Sequence, residues 1–287
     1  MTTLEDAINQ MTEFGLDVDY PVVDGKVHKV KYMGERRKSG WYTLHTYQNL
    51  YTGMYGSWKY SEEGLKIKRR VSIQADKTEI QRIKKMMADK AQEEYKKKLE
   101  GFKKAQARSL EVWEKCKEEG SSPYLDRKKI TSCGARFHGS TLVIPMGREG
   151  KMRSLQSIQA DGFKKYLAGG EVSGCYFIIQ GSSTIALVEG FATGASIHMA
   201  TGWSVAVCFT ASNLTKVAPY FRKKKAVICA DDDYKNSPNV GLKYGKLAQN
   251  DLNCKLLAPK FADERGTDFN DLHNLEGLEE VKKQCLI

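Results

Sequence analysis

Residues 184–194 read TIALVEGFATG and residues 226–233 read AVICADDD: two short apolar runs, each ending in carboxylates and followed by a turn. An apolar run that closes on an acid is how a buried parallel strand carries charge to the open edge of an α/β sheet. If the two strands are neighbours, Glu189, Asp231 and Asp233 converge on one point. Three carboxylates at a sheet edge make a hard-oxygen site suited to Mg²⁺, whose coordination is commonly completed by substrate phosphates. The pattern points to phosphoryl or nucleotidyl transfer.

The surrounding order supports that placement. From Cys175 onward, β-type runs (CYFIIQ, TIALVE, WSVAVCF, AVICA, CKLLAP) alternate with helical stretches, including ASIHMATG, LTKVAPYFRK and VGLKYGKLAQND. This βαβα order predicts a mostly parallel sheet covered on both faces, with the carboxylates where its strands end. Upstream, LVIPM, the REG turn, MRSLQSI and DGFKKYL predict a β-meander.

Each acid also has a plainer use. Glu189, before Gly190 and the following helix, can ligate a metal or take a proton from an attacking hydroxyl, or simply complement a helix dipole. Asp231 and Asp233 share a face on an extended path while Asp232 points away, and two like charges so close call for a cation; the alternative is a solvated acidic turn. In RGTDFNDLH, Asp268 and Asp271 are further ligands or, for Asp268, a helix N-cap. Lys164, Arg148 and Arg153 suit nucleotide phosphates or a template backbone, or a solvated hairpin. His198 has no second histidine at i+4 and reads as packing, and His273 beside the acidic loop is only slightly more suggestive.

Between Tyr20 and Ile73, short β-type runs alternate with glycines, predicting a small antiparallel sheet. This stretch carries eleven Lys or Arg against four acids, more than half of the chain's net charge of +11. Aromatics interleave with the cations. Trp41, Tyr42 and Trp58 beside Lys59, Arg69 and Arg70 make a candidate surface for single-stranded DNA, with bases stacked on rings and phosphates on cations. A small domain whose aromatics fill its own core fits the same pattern. From Gln74 to about Glu119 the composition turns to Lys, Glu, Gln and Ala, and Ile80, Ile83, Met87, Ala91, Tyr95, Leu99 and Phe102 recur at helical spacing. A long charged helix serving as a solvated spacer is expected, with DNA contact at Lys96, Lys97 and Lys98 the lesser alternative.

The predicted organisation is thus a β-rich basic domain over 1–73, a helical connector over 74–119, a core N-terminal subdomain over 120–175 and an α/β domain over 176–287, giving an α/β fold (α+β overall). The sequence has 287 residues, enough for two domains, and its pI of about 9.1 fits a polyanionic partner. Its seven cysteines lie far apart with no C-x-x-C spacing, which argues for a reduced, cytoplasmic setting and no zinc site. No apolar stretch approaches membrane-spanning length, so no membrane partner is expected, and the N-terminus MTTLEDAINQMTEFGL reads as a first helix.

The ordered motifs EGFATG, ADDD after an apolar strand, and GTDFNDLH resemble the Toprim domain of plasmid and phage DNA primases, in particular satellite-phage alpha-type and conjugative-plasmid primases. SPYLDRKKI, LVIPM, SLQSIQADGFKKYL and the SGWY and GMYGSWK segments extend the resemblance over about 40–287, strongest over 122–273. The resemblance implies synthesis of short RNA primers on a single-stranded DNA template from ribonucleoside triphosphates with Mg²⁺ or Mn²⁺. It makes Glu189 the catalytic acid, Asp231 and Asp233 metal carboxylates, Asp268 an assistant and Lys164 a contact to nucleotide or template. Two departures stand out. No cysteine precedes Cys116, so a zinc-binding template module of the replicative type is not expected, and no G-x-x-x-x-G-K-[ST] motif follows, so a helicase is expected in trans or in a larger polypeptide. A Toprim nuclease or topoisomerase-like enzyme, or a noncatalytic single-strand-binding replication module, would share parts of this pattern.

Overall fold

The computed structural model describes residues 2–47, 50–58, 64–68, 77–235, 239–262 and 266–286. The chain divides into two compact units, Met1–Ala88 and Asp89–Ile287. Among the described residues no helix is long and apolar enough to cross a membrane.

In the first unit, helix α1 (Leu4–Glu13) starts at Thr3, whose hydroxyl accepts from the Asp6 N–H at 3.1 Å. The antiparallel strands β1 (His28–Val30), β2 (Gly40–Tyr47), β3 (Leu50–Ser57) and β4 (Leu65–Lys66) form one sheet in that order. Ala7 and Met11 of α1 pack with Leu16, Tyr32, Tyr42 and Leu44 to make its core. This corrects two expectations. Tyr42 is 3% exposed and Trp41 7% exposed, so neither ring offers a face to a base. Both faces of β2 are covered: Tyr42 turns inward and its hydroxyl accepts from Val22 N–H, while Trp41 lies against Gly56 and Gly64, and a Cβ at Gly64 would come within 2.3 Å of the indole. Trp58 remains on the surface at 44% exposure, with Lys29 Nζ 5.3 Å from its ring centroid. Lys59, Arg69 and Arg70 lie outside the described residues.

Helix α2 (Lys77–Glu114) runs unbroken through Gly101, and the boundary between the two units falls within it. Its C-terminal part is no solvated spacer. Ala105 and Ser109 are buried, Val112 and Trp113 pack with Val143, Leu155 and Met152, and Gln106 Nε2 donates to Met152 O at 2.7 Å. This docking stripe begins just beyond the apolar periodicity that marks the helix in the sequence.

The second unit continues with α3 (Pro123–Lys128) and an antiparallel meander, β5 (Arg136–His138), β6 (Thr141–Arg148), β7 (Lys151–Ile158) and β8 (Lys164–Tyr166). Glu149 and Gly150, both at positive φ, form the two-residue β6–β7 turn. Then follow β9 (Phe177–Ile179), β10 (Ser182–Val188), α4 (Phe191–Thr201), β11 (Trp203–Val207), α5 (Ala211–Val217), β12 (Lys225–Cys229), α6 (Val240–Leu252), β13 (Lys255–Leu257), α7 (Phe269–Glu276) and α8 (Leu278–Cys285). The second sheet of this unit has the order β13-β12-β10-β11-β9, all parallel except the antiparallel edge strand β9. Its central strand β10 sends Ala186 and Val188 into a core with α4, α7 and α8, and Ile185 and Leu187 into another with α5 and α6. A strand buried on both faces must be apolar throughout until it ends, which is why the first carboxylate appears only at Glu189.

Candidate active site

Strands β10 and β12 are direct parallel neighbours, with Val188 opposite Cys229. That register brings Glu189, one residue beyond β10, and Asp231, two beyond β12, to the same sheet edge. Both line a cavity of about 370 Å³, together with Asp268, Lys164, Lys128 and Tyr124. Lys164 is the first residue of β8, so the meander supplies a cation to the edge where the α/β sheet supplies its acids.

The electrostatics of this cavity are dominated by burial. Desolvation, followed by the nearby Asp233 charge, pushes the Glu189 carboxyl up to about 7, with Lys164 pulling the other way. Asp231 is raised well above the usual carboxylate range, again by desolvation first and then by Glu189 and Asp268, and its Oδ1 is buried without a hydrogen-bond partner. Asp268 is raised by burial and by Asp271. It also caps α7: Oδ1 accepts from Asn270 N at 2.7 Å and Asp271 N at 2.9 Å, leaving Oδ2 for another partner. The two sequence alternatives for Asp268 are therefore compatible.

Asp233 is close enough to raise both Glu189 and Asp231, yet its Oδ2 accepts from Gly241 N–H at the start of α6 and it is not part of the cavity wall. Asp232 points elsewhere, accepting from Asn239 Nδ2 at 2.6 Å. Gly241 allows this tight approach: a Cβ there would lie 2.3 Å from the Asp231 carbonyl oxygen, and one at Gly245 2.7 Å from Ala230 Cβ. Gly241→Ala must therefore move backbone. A destabilisation of about 1 to 3 kcal/mol is expected, read from the urea midpoint, with Asp231 displaced.

Among the described residues no group of three or more His, Cys, Asp or Glu side chains is already gathered as a metal-binding cluster. The donor set nonetheless fits a hard dication. Asp231 Oδ1 is an orphaned buried acceptor, Asp268 Oδ2 is spare, and Glu189 carries a carboxyl whose charged form burial disfavours, a cost that a cation would offset.

Arg148 and Arg153 do not reach this cavity. They line a second cleft, where Arg148 pairs with Glu171 at 2.9 Å and donates to Ser173 O at 3.1 Å. The β6–β7 hairpin points them away from the strand end that carries Lys164. The histidines are structural: His198 Nδ1 contacts Trp203 O at 2.8 Å, and His273 is buried with Nδ1 3.1 Å from Ser196 Oγ. Asp271 Oδ2 accepts from Thr267 N, and Lys128 Nζ lies 3.7 Å from Asp271 Oδ1.

Residue-type reasoning missed Tyr124 and Lys128 of α3. Tyr124 has a buried hydroxyl without a hydrogen-bond partner, and burial beside Asp268 pushes its phenol up. Ser122 and Pro123 do signal a helix start in the sequence, but only the fold shows that this short helix walls the acidic cavity.

Residues 184–279 match the family model of the Toprim domain. DNA primase TraC of Escherichia coli is 27% identical over 305 aligned residues, which cover 95% of this chain and 20% of that protein. Another Escherichia coli DNA primase TraC is 26% identical over 256 residues, covering 79% of this chain and 23% of that one. The chain thus spans about a fifth of the length of these relatives. Among solved structures, a chain from the complex of bacteriophage T7 lagging-strand DNA polymerase with primase domains of two gp4 subunits, bound to an RNA/DNA hybrid and dTTP, aligns with 15% identity and a TM-score of 0.44, covering 59% of this chain and 92% of its own length. The chain carries a Toprim domain over residues 184–279, set within a longer stretch similar to DNA primase TraC.

Proposed function

We propose that this chain is the primer-synthesising part of a DNA primase, which joins ribonucleoside triphosphates on a single-stranded DNA template for phage or plasmid replication. The observation that carries this reading is the orphaned Asp231 Oδ1 beside Glu189 and Asp268, in a cavity that also holds Lys164. Similarity to DNA primase TraC over nearly the whole chain supports it.

In this reading Asp231 and Asp268 would hold Mg²⁺ or Mn²⁺, with Asp233 supporting from the start of α6, and Glu189 is left free to act as the base. Bound there, the metal supplies charge neutralisation to the reacting triphosphate. The 3′-hydroxyl oxygen of one nucleotide bonds to the α-phosphorus of the next, and the bond from that phosphorus to the pyrophosphate oxygen breaks. Glu189 takes the hydroxyl proton. A carboxylate that titrates near 7 is matched to that task at neutral pH, because it is substantially ionised and still basic enough to accept. The Lys164 and Lys128 ammonium groups face the same cavity and orient triphosphate oxygens. Of the three candidate rings Trp41, Tyr42 and Trp58, Trp58, with Lys29 beside it, remains exposed and able to stack a template base. A replicative helicase acts with the protein, in trans or within a longer polypeptide, in the cytoplasm of a bacterial cell.

The test is incubation of the full chain with single-stranded DNA, labelled ribonucleotides and Mg²⁺ or Mn²⁺, beside a plasmid-nicking assay. Template-dependent oligoribonucleotides are expected. Nicking without polymerisation would replace the reading with a Toprim nuclease, and DNA binding with neither activity would leave a recruitment module.

A further inference from the structure

The cleft that takes Arg148 and Arg153 has a volume of about 380 Å³, inside the range of about 300 to 1,000 Å³ typical of small-ligand sites. One wall is a single face of α2, where Tyr95, Lys98, Leu99, Phe102 and Lys103 follow one another at three- and four-residue spacing. Gln106, one turn further on, is hydrogen-bonded to Met152 O and fixes that face beside β7. The opposite wall is Arg153, Arg148 and Glu171.

The charges in this cleft do not balance. Glu171 neutralises Arg148, but Arg153, Lys98 and Lys103 have no acid on the wall to answer them. Arg153 Nε is buried without a hydrogen-bond partner, an arrangement that leaves a donor of a charged group unsatisfied. Such a group calls for an anion, and a guanidinium fork is matched to phosphate oxygens. The other lining feature is aromatic: Tyr95 is 61% exposed, and the Phe102 ring has Lys98 Nζ 5.6 Å from its centroid. Cations beside rings recognise a phosphate joined to a base.

We propose that this cleft is a second phosphate-binding site, separate from the acidic cavity, which takes a nucleotide unit with its phosphate on Arg153, Lys98 and Lys103 and its base against Tyr95 and Phe102. Arg153 lies five residues along β7 from Ile158, the partner of Lys164, so the two sites are about 17 Å apart along that strand. The phosphate belongs either to a template strand that continues past the acidic cavity or to a free nucleotide. The proposal does not depend on the acidic cavity being catalytic.

The test measures binding of the full chain to a labelled oligodeoxythymidine and to ATP, across a salt series, for wild type, Arg153→Gln, Lys98→Glu and, as a control outside both cavities, Lys282→Glu on the exposed face of α8. Arg153→Gln and Lys98→Glu are each expected to weaken one ligand by roughly tenfold or more, while Lys282→Glu leaves that binding intact. If the strand is the occupant, the loss falls on the oligonucleotide and its salt slope drops by about 0.7 per contact removed. If a free nucleotide is the occupant, the loss falls on ATP and the oligonucleotide slope holds. Unchanged affinity for both ligands in both variants overturns the proposal. Lys98 is exposed on α2, so its variant keeps the test decisive should Arg153→Gln fold poorly.

Discussion

Glu189→Gln is expected to lower primer synthesis by roughly 10²- to 10⁴-fold, the range lost when a positioned general base is removed. Glutamine keeps the size and hydrogen-bonding shape of the side chain but neither takes the hydroxyl proton nor contributes negative charge beside a metal site. Asp231→Asn is expected to act in the same direction, since the orphaned Oδ1 is the clearest vacant acceptor in the cavity. Neither change should weaken binding of single-stranded DNA, because the cations and the surface ring that would hold a strand are other residues. The measurement is extension of labelled ribonucleotides at saturating template, with strand binding followed separately. Normal polymerisation by the Gln variant would remove Glu189 from the reaction.

The same substitution is expected to stabilise the metal-free protein at neutral pH. Glu189 titrates at about 7 in the folded chain against an ordinary 4.5, so the folded state holds its proton more tightly than the unfolded state does. Between those two values the native protein binds more protons, and the Glu189 contribution to stability falls as pH rises through that window, by on the order of 3 kcal/mol. Asp231 is shifted in the same direction and adds to the loss. Urea midpoints at pH 5 and pH 8 in chelator should therefore diverge more for wild type than for Glu189→Gln. Adding Mg²⁺ should recover wild-type stability at pH 8 and have little effect at pH 5, where the proton already neutralises the carboxyl. An identical pH dependence in wild type and variant would show that the side chain is far better solvated than its position implies.

Together these tests separate two properties of one carboxyl. Its burial costs stability whenever it is ionised and unpaired, and that burial is also what raises its basicity to a value useful near neutral pH. A site of this kind is held in place by the rest of the fold: Val188 and Cys229 set the register beneath it, and Gly241 lets the start of α6 close on the Asp231 backbone.

The alternation of apolar runs with helical stretches was legible because each inner strand is buried on both faces and must be apolar until it leaves the sheet. That alone put Glu189 and Asp231 at strand ends, and the sheet order then brought the two ends together. The N-terminal aromatics show the limit of such reading. Trp41 and Tyr42 are adjacent and so point to opposite faces of β2, which in a sheet with one solvated face would leave one ring on the surface, yet both faces are covered and both rings became core. Arg148 and Arg153 are near Lys164 in sequence, but a hairpin turn and the length of β7 carry them to a different cleft.

Composition, periodicity and motif spacing determined by themselves that this chain would build a mostly parallel sheet with acids at its edge, because side-chain hydrophobicity and backbone period are local properties. Which cations join those acids, which aromatics remain exposed, and that α3 walls the cavity were decided only by tertiary structure. Those outcomes depend on contacts between elements distant in the chain, and no local pattern encodes which face a neighbour will cover.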